Sequence, residues 1–203
     1  MTAPPATDTR ARLLATTERL IYASGIAATG MDRIVRESGV ARKSVYRYFP
    51  TKEALVAEAL NARDERWMAW FAAASSSAMP LAQRIQAMFD ALDAWFGMPD
   101  FRGCAFINAA GESGDADGLV RQAARAHKLR LLQHLRRVAD EAGLAPRPAD
   151  ELARQLLILI DGAITVALVS GDLAAAARAA RIAAALPEAR RPDDFSPSMK
   201  GTA

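Results

Sequence analysis

The chain of 203 residues is predicted to be all-α, with about nine helices. Three observations lead there. Apolar residues recur at helical spacing along most of the chain, with Gly, Pro and Ser clusters between the runs. No segment shows strand alternation of useful length. Residues 29–55, TGMDRIVRESGVARKSVYRYFPTKEAL, hold two short helical patterns separated by Ser38-Gly39-Val40. A Pro-Thr break follows, and a third pattern opens at Lys52.

The elements follow in order. The first helix runs from about Thr9 to Ser24, with Leu13, Leu20 and Ile21 inward. The second spans Met31 to Ser38 and the third Arg42 to Phe49. The fourth runs from Lys52 to about Ala74 and stops at a serine cluster. Pro80 suits the first turn of the fifth, where its missing N–H costs nothing; that helix ends near Phe96-Gly97. A short sixth helix covers about Gly103 to Ala110, and GESGDADG after it is a loop. The seventh runs from Leu119 to Ala142 and stops at Gly143. Pro146 and Pro148 read as loop before an eighth helix from Asp150 to Val169. The ninth runs from Leu173 to Leu186. Residues 188–203 lack periodicity and are expected to be a disordered tail.

Two helices joined by a tight Gly-containing turn, the second rich in Arg, Lys, Ser and Tyr, have the layout of a helix-turn-helix DNA reader. At roughly 100° per residue, Val45 and Phe49 fall on one side of the third helix and Lys43 and Arg47 on the other. Ser44 and Tyr46 flank the outer side. Arg42 sits in the first turn, which recognition helices often use on bases. A basic strip is most often only a solvated face. Here the turn, the preceding helix and the Tyr46-Arg47-Tyr48-Phe49 cluster add to it.

Charge agrees. Residues 1–60 hold nine Lys/Arg against six Asp/Glu, whereas the remainder is balanced, so the whole net charge of +3 sits with the helix-turn-helix. A basic end and a neutral end fit a polyanion-binding module joined to something that binds other things. Cys104 is the one cysteine, so no disulfide forms within the chain and a reducing compartment fits. The start, MTAPPATDTR, lacks an apolar signal core, and the apolar run Leu156 to Val169 reads as too short to cross a bilayer. A cytoplasmic protein is expected.

The segment from Thr9 to Leu60 resembles the N-terminal domain of the TetR family of bacterial transcriptional regulators. Thr9-Arg10, Leu13-Leu14, Leu20-Ile21-Tyr22, Gly25, Thr29, Ile34, Gly39-Val40, Tyr46, Tyr48-Phe49 and Lys52-Glu53-Ala54-Leu55 carry the match. Ala41 departs from it, standing where a Ser or Thr usually caps the recognition helix. Lys43 departs too, where a small residue is common. The resemblance implies a DNA-binding domain over 1–50 and a helical effector-binding and dimerisation domain over 51–187. The candidate DNA contacts are Thr29, Arg42, Lys43, Ser44, Tyr46, Arg47, Tyr48 and Lys52.

The resemblance also implies a homodimer on a palindromic double-stranded operator, with the last two helices of two subunits packed as a four-helix interface. Leu156, Ala163, Val166, Ala177, Ala180 and Ala184 are the expected contacts. A middle pocket would hold a small, mostly apolar effector. Its candidate lining is Met88, Trp95, Phe106, Asn108, His127 and Asp161, although an aromatic stripe at helical spacing is more often core than pocket. Asp161 interrupts an apolar face and must find a partner, reach water or stay protonated. Cys104, beside Arg102 in the expected first turn of the sixth helix, has the setting of a reactive thiol, with a buried inert thiol as the default. His127 and His134 lie seven residues apart, roughly 10.5 Å along a helix, too far to share one metal ion. No cofactor is expected. A phosphate loop, a nucleophile elbow and a zinc-spaced cluster are all absent from the sequence, which argues against an enzyme. The rival readings are a ligand-independent DNA-binding or nucleoid-organising protein and, further off, an apolar-ligand carrier.

Overall fold

The computed structural model describes residues 6–75 and 77–186; the expected tail, 188–203, lies outside them. The described residues form nine helices and no strands. α1 (Ala6–Ser24), α2 (Met31–Ser38) and α3 (Arg42–Tyr48) pack around the start of α4 (Lys52–Ala74). Their core is Leu13, Leu20, Ile34, Val45, Phe49, Leu55 and neighbours, with Leu55 and Ala59 supplied by α4. α4 then continues into a second, larger core with α5 (Leu81–Phe96), α6 (Ala105–Glu112), α7 (Leu119–Glu141), α8 (Pro146–Ser170) and α9 (Ala175–Ala185). One 23-residue helix is thereby shared by both cores.

Local chemistry sets these ends. Thr51 caps α4 by accepting from the Ala54 N–H at 3.1 Å, which satisfies one orphan donor of the first turn. α2 ends at Gly39, whose φ of +63° is left-handed and whose N–H reaches the Val35 carbonyl. Gly suits that position because it carries no Cβ. Pro80 stands just before α5, as its N-cap. α8 starts at Pro146, not after the two prolines as expected. The first-turn N–H groups of a helix have no internal partner, so prolines there remove nothing. α6 begins and ends two residues later than predicted, because Gly103 at φ +75° turns the chain and Cys104 becomes the N-cap.

Three expected interface residues belong to the chain's own core: Leu156, Ala163 and Ala180 are 1%, 5% and 2% exposed. α8 is apolar on several sides, and its side bearing Leu156 and Ala163, like the α9 side bearing Ala180, packs into the chain's own core. The run read as too short to span a bilayer lies within a 25-residue helix, the one described helix long and apolar enough for that by length and composition. Leu152, Leu156, Ile160 and Ile164 of that helix are core residues.

Candidate nucleic-acid interface and effector cavity

α3 presents the two faces that its spacing predicts. Val45 and Phe49 are buried in the small core, and Lys43 and Arg47 are exposed on the opposite side. Tyr46 is 43% exposed. Ser44 and Tyr48 are half-buried, and the Arg47 guanidinium lies 5.4 Å from the Tyr48 ring centre. Arg42 is exposed and pairs with Asp32 of α2. The turn before α3 is tied to α1: Arg12 Nε donates to the Ser38 carbonyl at 3.0 Å, and Val40 is buried. The face therefore offers two cations, a hydroxyl and a phenol on a pre-positioned helix, a set that suits phosphates and base edges.

Two expected contacts are corrected. Thr29 is fully buried, and its hydroxyl donates to the Gly25 carbonyl at 2.7 Å. It closes the α1–α2 turn and does not face outward. Lys52 is half-buried, and its ammonium donates to the Ile26 carbonyl at 2.5 Å. That bond directs its charge into the protein.

The larger core encloses a cavity lined by Trp67, Trp95, Cys104, Phe106, His127 and Lys128, among others. Its volume is about 10 Å³, room for about one water molecule. In its wall Phe106 stacks on His127, centroids 3.7 Å apart and planes 10° apart. On the outer side Trp67 and Trp95, with Arg63, also wall an open cleft of about 250 Å³ that includes Trp70 and Met98. Arg63, Trp67 and Trp95 line both the cleft and the cavity.

A polar chain crosses this apolar setting. His127 Nδ1 lies 2.6 Å from Asp64 Oδ1, and Asp64 Oδ2 accepts from Arg130 at 2.8 Å. Burial pulls the His127 pKa down, but Asp64 and the Cys104 thiol outweigh it, and the imidazole sits above its ordinary value. Burial raises Asp64, yet His127 and Arg130 hold it below the usual carboxylate range. Cys104 is pushed up by burial and pulled further down by His127 and by the Lys128 ammonium, 3.6 Å away. The same ammonium donates to Asp161 at 2.5 Å. That bond supplies the partner Asp161 requires, and the carboxylate does not line the cavity. Met88 is corrected as well: it is wholly buried core and lines no described cavity. Asn108 donates to the Arg102 carbonyl at 2.8 Å and borders a second small cavity beside Tyr22 and Ile26.

Comparison with known proteins fits this arrangement. Residues 13–59 match the family described as bacterial regulatory proteins of the tetR family, and residues 82–183 match the tetracyclin repressor-like C-terminal domain. An uncharacterized HTH-type transcriptional regulator of Mycobacterium tuberculosis is 31% identical over 173 residues, which are 81% of this chain and 86% of that one. The chain belongs to the TetR family. A TetR-family transcriptional regulator from Streptomyces coelicolor has a similar structure, with TM-score 0.74 and 30% identity over 88% of this chain and 97% of that one. The HTH-type transcriptional regulator LmrA of Bacillus subtilis is 26% identical over 165 residues, 80% of this chain and 88% of that one. As a TetR-family member the chain is a transcriptional regulator with a DNA-binding domain.

The missing cap of the recognition helix is confirmed: Ala41 is the N-cap of α3 and gives no side-chain bond, while its carbonyl accepts from Ser44 and Val45 N–H. An apolar stripe remains exposed on α8 and α9. Ile158, Val166 and Val169 stand 70%, 43% and 76% exposed, and Ile182 55%. Val166, Ala177 and Ala184, expected at a dimer interface, are exposed on the single chain, and Ile158, Val169 and Ile182, which the sequence did not single out, are exposed with them. Asp64 escaped it too. The signal was present, since Leu60, Asp64 and Met68 occupy one inward face of α4, and an acid there needs a partner.

Among the described residues no three His, Cys, Asp or Glu side chains converge as a metal site. Asn108 and Glu112, four residues apart on α6, are both engaged by backbone groups.

Proposed function

We propose that this chain is a ligand-responsive repressor that binds a palindromic operator as a homodimer and is released by a small, mostly apolar effector. The observation that carries the reading is α4. It begins under the recognition helix and ends among the tryptophans of the cavity, so one rigid rod joins the DNA face to the candidate effector site. Lys43, Ser44, Tyr46 and Arg47 read the groove, Arg42 and Tyr48 flank them, and the exposed stripe of Ile158, Val166, Val169 and Ile182 is covered by the twofold partner. Exposed apolar residues grouped on the last two helices suit an interaction surface, and a palindrome requires a twofold reader.

The effector enters from the cleft between Trp67, Trp70, Trp95 and Met98. It displaces Phe106 from His127, because the cavity holds no room otherwise. Apolar walls with a few placed polar groups, here His127, Lys128 and Cys104, suit a flat, largely apolar molecule. The small cavity also favours a second reading, in which DNA binding responds to no ligand. Binding to the chain's own upstream region, measured with and without a library of small aromatic molecules, separates the two. Release by any of them supports the first reading, and unchanged binding throughout supports the second.

A further inference from the structure

The DNA-binding unit is tied to the body by polar bonds that gather on the α1–α2 turn. Glu112, the last residue of α6, accepts from the Ile26 N–H at 3.1 Å and from the Ala27 N–H at 2.8 Å. Lys52 holds the other side of the same turn through the Ile26 carbonyl. Gly25 makes the approach possible. Its φ is +85°, and a Cβ built on it would lie 2.9 Å from the Glu112 carboxylate. A carboxylate on two backbone amides is a charge-assisted pair, stronger than an ordinary hydrogen bond.

The other end of α6 is tied as well. The Tyr22 hydroxyl donates to the Gly103 carbonyl at 3.0 Å and accepts from the Arg102 N–H at 2.9 Å. Between these anchors Cys104, Ala105 and Phe106 line the inner cavity, and Ala105, Asn108, Ala109 and Glu112 line the second one. A helix of eight residues moves as one piece, since its backbone bonds close within it. A displacement of the α6 backbone at Phe106 is therefore carried to Glu112. The turn that Glu112 grips runs directly into α2, and α2 and the Gly39 turn aim α3.

We propose that Glu112 is the positioning residue that conveys occupancy of the Phe106 cavity to the recognition helix. This rests on the reading of that cavity as the effector site. The mechanism is mutual: an occupant that moves α6 loosens the grip on Ile26 and Ala27, and DNA binding that fixes the turn disfavours the occupant by the same factor.

The test is a double-mutant cycle of Phe106→Leu, a conservative change in the cavity, with Glu112→Gln, which keeps the shape and loses the charge. Two quantities are read on the intact chain: amide exchange at Ile26 and Ala27, and affinity for an operator fragment selected from genomic DNA. Glu112→Gln is expected to speed exchange at both amides about tenfold or more, as loss of a charge-assisted bond does. Phe106→Leu is expected to weaken operator binding about fivefold or more in the native background, and by less than about twofold beside Glu112→Gln, within the error of additivity. Exchange at Ile26 and Ala27 is expected to follow the same pattern. Equal effects of Phe106→Leu in both backgrounds, or none in the native one, overturn the proposal. The exchange arm needs no DNA. A chain that binds no operator overturns the functional reading, and exchange alone then decides the coupling.

Discussion

Lys43 and Arg47 lie four residues apart, both exposed, on the side of α3 opposite Val45 and Phe49. Each is expected to contribute about 1–3 kcal/mol if it reads a base. Lys43→Ala and Arg47→Ala should each weaken operator binding by that amount, with helicity and assembly unchanged; titration of labelled operator measures it. His127 gives a second residue-level expectation. Its pKa is raised in the fold, so its stabilising contribution is complete below the ordinary histidine value and fades as pH rises through the raised one. Asp64 is lowered, so its contribution is present above the ordinary carboxylate value and fades as pH falls through the lowered one. Proton NMR titration should place the His127 ring above its ordinary pKa. His134, held down by burial and by Arg137 and Arg84, should titrate below. Asp64→Asn should drop His127 markedly, and a His127 that does not move would break the assigned pair. Burial at this scale was only partly legible. Thr29 and Lys52 are polar types that usually face water, and only the packing of the α1–α2 turn shows that both point inward.

At the scale of elements, helix positions were legible because periodicity and breakers agree: α2 and α4 have their predicted ends, marked by Gly39 and by the Thr51 cap and serine cluster. Faces were less legible. The run from Leu156 to Ile160 is apolar at every position, and α9 is almost all alanine, so a hydrophobic stripe does not single out one side. The fold resolves this, with Leu156 and Ala180 inside and Val169 and Ile182 outside. Val169→Asp or Ile182→Asp should split the proposed dimer while helicity stays intact, as seen by sedimentation and circular dichroism. Ala180→Arg should instead lower thermal stability, since it forces a charge into a closed helix contact. Sedimentation of an intact dimer for both aspartate variants would place the interface elsewhere. At the head of α4, Lys52→Ala should weaken operator binding by loosening the turn, with no change in the slope of affinity against salt. A slope flatter by about one charge per subunit would return Lys52 to the phosphates.

At the scale of the molecule, the basic end and the neutral end of the sequence correspond to two cores that share α4. That division, the helix-turn-helix and the aromatic body were legible in one sequence. The grip of α6 on the α1–α2 turn was not, because it joins residues 85 and 86 positions apart through backbone amides that carry no residue-type signal. In the proposed mechanism, two recognition helices about 34–36 Å apart meet successive major grooves, and an effector that shifts α6 and α4 disfavours that spacing. Sequence-specific reading by α3 is the central claim, and its most direct measurement is selection of genomic fragments by the native chain and by the Lys43→Ala/Arg47→Ala double variant, followed by sequencing. The native chain is predicted to enrich an inverted repeat, and the double variant, still folded and dimeric, to enrich none. A native chain that prefers no sequence, or a double variant that recovers the same repeat, would contradict that claim.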